Sequence, residues 1–185
     1  KQAFYYITQP DPSWPKKDLR EYRPERVWLL STTIHEVYPC HFLQAQWARR
    51  GPTRAQKMLG SYSFIEGWAH YGEQMMIEAG FGADDPQNRL GQLSDALLRD
   101  CRVVVSLDIH AEGMTQAEAA ARFEHDCHQD KATAREQAAR GAFDPGYFAY
   151  TLGKLQILAL RDEAKKRLGA KFSLQRFHDA LLSHG

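Results

Sequence analysis

Residues 88–111, NRLGQLSDALLRDCRVVVSLDIHA, decide the class of fold. Leu90, Leu93, Leu97, Leu98, Cys101, Val104, Val105 and Ile109 recur at three- and four-residue steps, the spacing that lines one side of an α-helix, over a stretch too long for a strand. This stripe is expected to be core. The helical pattern continues on both sides. Upstream, a helix is expected from Glu25 to about Tyr38, a second from His41 to Arg50 closed by Gly51-Pro52, and a third from Thr53 to Gly80 with a break available at Gly60. Downstream, Thr115 with Glu118 three residues on makes a capping box for a helix reaching about Asp126. Further helices are expected over Lys131–Arg140, Tyr147–Leu168 (stopped by Gly169) and Ser173–Ser183. Pro10, Pro12, Pro15 and Pro24 resist helix and imply an extended N-terminal arm. Neither strand alternation nor an internal repeat is apparent, so the expected fold is all-α, a single multi-helix domain over residues 1–185.

Composition narrows the partners. The 24 Lys and Arg against 23 Asp and Glu give a formal charge of +1 with no long block of either sign, which argues against nucleic acid or an anionic membrane surface. No apolar run approaches the roughly 18 residues of a membrane span. Cys40, Cys101 and Cys127 are odd in number and form no close pair, so neither a disulfide framework nor a cysteine zinc site is indicated. The chain opens at Lys1 and runs straight into Ala3-Phe4-Tyr5-Tyr6-Ile7, which reads as a piece cut from something longer; the compartment is not indicated.

Two segments carry candidate chemistry. In His35-Glu36-Val37-Tyr38-Pro39-Cys40-His41 the histidines stand six apart, whereas the zinc-peptidase pattern HExxH sets them four apart so that one helical face offers both rings to a metal. Six residues of regular helix advance about 600°, leaving the second ring roughly 120° from the first. Pro39 clashes with the carbonyl one turn earlier and opens a break through which His41 could return; otherwise His41 simply begins the next helix. In Glu66-Gly67-Trp68-Ala69-His70-Tyr71-Gly72-Glu73, the residues Glu66, His70 and Glu73 share one helical face. Such a face is either solvated or, if buried, requires a cation or a hydrogen-bond network.

These segments, with GYFAYTLGKLQILALRDEAKKRLG at 146–169 and the closing FHDALLSHG, resemble the catalytic half of the domain-of-unknown-function 885 family. That family is similar to gluzincin-type zinc metallopeptidases. Its first motif typically reads HExxPGHHxQ, so the resemblance implies His35 and His41 as metal ligands, Glu36 as general base and Glu66 as the third ligand, in a zincin-like site between two helices. It makes Glu73 a partner that orients a ligating imidazole, with His70 the rival ligand on the same face. Tyr150 and His110 are implied as oxyanion donors, and Arg102 as the group for a substrate carboxylate.

The sequence departs from the family pattern at Cys40 (usually glycine), Phe42 (usually histidine), and Ser106 and Asp108 within the R-x-x-x-D-x-G-x-H segment from Arg102 to His110. A Cβ at position 40 would be awkward if the break needs positive φ, and its thiol could compete for a soft metal. The resemblance implies zinc-dependent hydrolysis of peptides, carboxypeptidase-like, by the C-terminal catalytic portion of a longer chain. The missing N-terminal part or a second copy would complete the cleft. The rival expectation is a helical metal-binding or interaction module whose motif has decayed. His125 and His128 around Cys127 read as a helix terminus rather than a second metal site, and Lys154, Arg161 and Lys165–Arg167 read as a solvated basic face.

Overall fold

The computed structural model describes residues 4–6, 12–13, 15–17 and 26–184, with the backbone alone at 26 and 27. Most of the expected proline-rich arm, including Pro10 and Pro24, lies outside the described residues. Within them the protein is all-α, without a strand. In chain order the helices are α1 (Arg26–Glu36), α2 (His41–Ala48), α3 (Arg54–Met58), α4 (Tyr62–Glu78), α5 (Pro86–Ala111), α6 (Gln116–His125), α7 (Lys131–Phe143), α8 (Ala149–Leu168) and α9 (Leu174–His184), with a 3₁₀ turn at Gly169–Lys171.

Local chemistry sets the boundaries. The Thr115 hydroxyl accepts from the Glu118 amide while the Glu118 carboxylate accepts from the Thr115 amide, the capping box that starts α6. Thr53 and Gln56 do the same for α3, Ser61 caps α4, and Asp85 caps α5 ahead of Pro86. The helical stretch from Thr53 to Gly80 is thus two helices, broken around Gly60. Helix α1 stops at Glu36, two residues short of the expected Tyr38, because the residue before a proline is disfavoured in the α region.

Helices α4 and α8 form the central pair. A Cβ on Gly153 would lie 1.8 Å from the Ser63 carbonyl oxygen and 2.8 Å from Gly67 Cα, and one on Gly67 would lie 2.5 Å from Gly153 Cα. The two backbones therefore touch glycine to glycine, with no space for a side chain. One hydrophobic cluster, around Ile34, Trp68, Ala69, Tyr71, Met75, Ile157 and Leu182, packs α1, α4, α8 and α9 together. A second, around Val105, Phe123, Ala134, Ala138, Tyr147 and Tyr150, joins α5 to the α6–α7 hairpin and the start of α8.

Helix α5 buries only part of its expected stripe: Val105 is fully buried, and Leu98, Cys101 and Ile109 pack against the second cluster. Leu90 is 68% exposed, and Leu93, Leu97 and Val104 are also exposed, so half of the eight-residue stripe taken as core looks outward. The inward face carries Asn88, Gln92, Arg99, Arg102 and Ser106, with Val105 the fully buried member of the expected stripe. Buried polar groups must be satisfied: Arg99 meets Glu73 of α4 and His35 of α1, Arg102 meets Gln137 of α7, and Ser106 and Asn88 donate to the Pro145 and Gly82 carbonyls. The cysteine reading is also corrected. Cys101 and Cys127 form a disulfide that ties the end of α6 to α5, leaving Cys40 as the free thiol. Sequence spacing could not reveal this, because the two residues meet only when the α5–α6 turn folds back. Arg161 is not part of a solvated basic face: its guanidinium reaches the Tyr71 hydroxyl at 3.3 Å and Glu78 at 3.2 Å across α4 and α8.

Replacing Gly153 with alanine is expected to destabilise the protein by about 1–3 kcal/mol in denaturant unfolding, even though alanine favours an isolated helix by about 1 kcal/mol, because the added methyl meets backbone rather than a yielding side chain.

Candidate metal centre

The segment between α1 and α2 determines where His41 goes. Residues 37–40 form a turn, the Val37 amide still bonds the Thr33 carbonyl, and the Phe42 amide reaches back to the Val37 carbonyl at 3.1 Å. The chain is reversed within four residues, and His41 comes back beside His35: their rings stand edge to face with centroids 4.7 Å apart. Cys40 sits at φ −91°, so the awkwardness expected of a Cβ there does not arise. Its side chain is fully buried against Gly72, where an added Cβ would come within 2.2 Å of the sulfur, and its thiol reaches the Ala69 carbonyl at 3.5 Å. Burial pushes that thiol well above its usual pKa, so it remains protonated instead of joining the histidines as a ligand.

Glu66, from the first turns of α4, faces both rings. Its Oε2 is 3.4 Å from His35 Nε2 and 3.4 Å from His41 Nε2, and it is a buried oxygen with no hydrogen-bond partner among the described residues. Two imidazole nitrogens and a carboxylate oxygen are turned to a common point without bonding one another. A tetrahedral ion with bonds of about 2.1 Å has ligand-to-ligand edges of about 3.4 Å, so the donor set and its spacing fit zinc. Burial would raise the Glu66 carboxyl, but the neighbouring His35 and His41 imidazoles more than reverse this and hold it at about 2. Glu36 is exposed at the open side, and it, His35 and His41 bring ligand-type atoms within 4.8 Å of one another.

Behind this centre lies a buried ionic network. Glu73 is completely buried, accepts from His35 Nδ1 at 2.5 Å and pairs with Arg99 at 2.8 Å, and its other oxygen takes a second Arg99 nitrogen at 3.2 Å. Burial opposes its charge, but Arg99 and the two histidines outweigh burial and hold the carboxyl far below the usual range. A carboxylate on Nδ1 fixes a proton there, so that Nε2, on the Glu66 side, is the nitrogen that would be free for a metal ion. His70 Nδ1 lies 3.5 Å from Glu73, so His70 belongs to this network and none of its contacts is to the His35–His41–Glu66 group. Burial lowers its pKa to about 4.

A bacterial protein family of unknown function, DUF885, matches residues 1–185. The chain belongs to DUF885. A crystal structure of a candidate lipoprotein from Colwellia psychrerythraea is similar at 32% identity and a TM-score of 0.82, over 86% of this chain and 28% of that one. A candidate lipoprotein of unknown function from Shewanella oneidensis is similar at 30% identity and a TM-score of 0.85, over 98% of this chain and 34% of that one. The chain thus spans about a third of the length of these relatives or less. No functionally curated protein matches it.

The other residues singled out in the sequence fare unequally. Tyr150 is at the centre, its ring stacked at 6.4 Å and 20° on that of His35. Arg102 is buried, with its Nε donating to Gln137 and its guanidinium over the Tyr147 and Tyr150 rings. His110 is eleven residues beyond Arg99, about 16 Å along α5, and its Nε2 meets the Gly141 carbonyl at 3.0 Å; the structure does not bring it to His35. Cys127 is held in the disulfide, so no thiol stands free between His125 and His128. His178 hydrogen-bonds the Tyr71 hydroxyl at 2.8 Å, a packing contact. Sequence reading missed Arg99, Arg140 and Tyr62. Arg99 carried a faint signal, since a charged residue three before Arg102 within an apolar helix needs a buried acid.

Substituting Glu73 with glutamine strands the Arg99 charge in the interior and is expected to cost roughly 3–5 kcal/mol in denaturant unfolding. His70 gives a distinct pH signature. It stays neutral in the fold down to about pH 4, whereas an unfolded histidine protonates near 6.5, so stability is lost as pH falls through that window, by up to about 1.4 kcal/mol per unit. A His70→Asn variant is expected to show a shallower decline than the native chain between pH 6.5 and 4.

Proposed function

We propose that this protein is a zinc-dependent peptide hydrolase of the carboxypeptidase-like kind. The observation that carries the reading is the convergence of His35, His41 and the otherwise unpartnered Glu66 oxygen at separations suited to one tetrahedral ion. His35, His41 and Glu66 would hold the metal. A zinc ion there would supply the Lewis acid that polarises a scissile carbonyl and makes water a usable nucleophile near neutral pH.

The protein's own groups do the rest. Glu36, exposed beside the two histidines, accepts the proton of the attacking water and returns it to the leaving amine. Glu73 and Arg99 keep His35 in one tautomer and one orientation while the peptide binds. Tyr150 presents a hydroxyl beside His35 whose oxygen already accepts from Arg140 at 3.1 Å, leaving its own proton for the oxyanion of the tetrahedral intermediate. His110 would serve in that role only in a conformation other than this one.

Metal analysis of the native chain is expected to give one zinc per molecule, lost in His35→Ala and in Glu66→Gln. Glu36→Gln is expected to keep the zinc and lower hydrolysis of a blocked tripeptide by about 10²- to 10⁴-fold. Bound zinc with no hydrolysis by the native chain would favour the metal-binding module instead.

A further inference from the structure

Arg102 and Arg140 are two cations beside Tyr150, and among the described residues neither forms an ion pair. Their environments differ. Arg102 is 8% exposed, its Nε is committed to the Gln137 side chain at 2.9 Å, and its guanidinium carbon lies 4.6 Å and 5.0 Å from the Tyr147 and Tyr150 ring centres. It is enclosed, and its work is to seat two aromatic rings.

Arg140, in the last turn of α7, is only partly buried. One Nη donates to the Tyr150 hydroxyl at 3.1 Å, and the guanidinium carbon stands 5.2 Å from the Tyr147 ring. The acid one turn on, Asp144, is already engaged: one oxygen accepts from the Tyr62 hydroxyl at 3.0 Å and the other from the Gly146 amide at 3.0 Å. Arg140 contacts the Tyr150 and Tyr62 side chains, keeps further N–H donors, and among the described residues has no ion-pair partner. Tyr62, 37% exposed, stands edge to face with Tyr150 at 5.8 Å between ring centres. Tyr150 links Arg140 to the metal centre, stacking on His35 with its ring and accepting from Arg140 with its hydroxyl.

We infer that Arg140, rather than Arg102, anchors the C-terminal carboxylate of a peptide substrate, held in a two-pronged contact across Tyr150 from His35. The inference deepens the peptidase reading and rests on it. An arginine with donors to spare is shaped for a carboxylate, and charge-assisted bonds of this kind separate a free acid from its amide by roughly 10- to 100-fold. Tyr62 and Tyr150 would flank the C-terminal residue of the peptide.

The test is calorimetric binding to the full chain loaded with zinc, in a Glu36→Gln background so that turnover does not interfere. The probes are acetyl-Ala-Ala-Ala, its C-terminal amide, and acetyl-Ala-Ala-Glu amide. The free acid is expected to bind about 10-fold or more tighter than either amide. Arg140→Gln should abolish that preference at unchanged zinc content and helicity, and Arg140→Lys, which keeps the charge, should retain part of it. Equal binding of acid and alanine amide by the parent chain would overturn the inference. So would a preference that survives Arg140→Gln, or a glutamate-ended amide bound as tightly as the free acid. The peptidase reading, by contrast, fails on zinc content or on hydrolysis by native Glu36 protein, so the two failures are distinguishable.

Discussion

A carboxylate with no access to water must be surrounded by positive partners, and Glu73 imposes that demand on the whole molecule. It is completely buried on α4, and its oxygens are shared by Arg99 from α5 and His35 from α1, with His70 from its own helix alongside. Three helices are thereby fixed at one point. The partial outward turn of the α5 stripe follows from the same demand. A guanidinium that must reach Glu73 draws the polar side of its helix inward, and the leucines on the other side are left facing out.

The second constraint is the turn over residues 37–40. A six-residue interval between histidines is unsuitable for one ion on a regular helix, and the protein resolves this by ending α1 at Glu36 and restarting at His41 with the ring turned back. Cys40 occupies the inside of the turn at an ordinary negative φ, and the space its sulfur fills exists because residue 72 of α4 has no side chain. Departure from the usual family glycine is compensated by close packing, with His35, His41 and Glu66 still facing one point.

Much of this was legible in the chain. Helix boundaries followed from proline, glycine and capping residues, whose effects are local, so Thr115 with Glu118 and the Gly60 break could be placed from sequence. The first motif showed which residues could meet, because the proline within it marks where helical geometry must fail. The face of α5 that turns inward was not legible, since periodicity fixes a helix and its stripe while burial depends on what the neighbouring helices present. Arg99, Arg140 and the Cys101–Cys127 bond share that limit: each depends on partners from other helices or on how α6 folds back on α5. His110 is a residue singled out by motif alone, and its ring meets the Gly141 carbonyl.

The contact between Gly67 and Gly153 places the neighbours of both residues in register: Glu66 precedes one, and Tyr150 lies three before the other. Drift at either position cannot be absorbed by a rotamer change, because the opposing surface is main chain. A lineage that acquires a side chain at one of them has to part α4 from α8, and in doing so carries an acidic ligand candidate away from the ring that stacks on His35. Natural variation at these two sites should accordingly go together with loss of the common point that His35, His41 and Glu66 face.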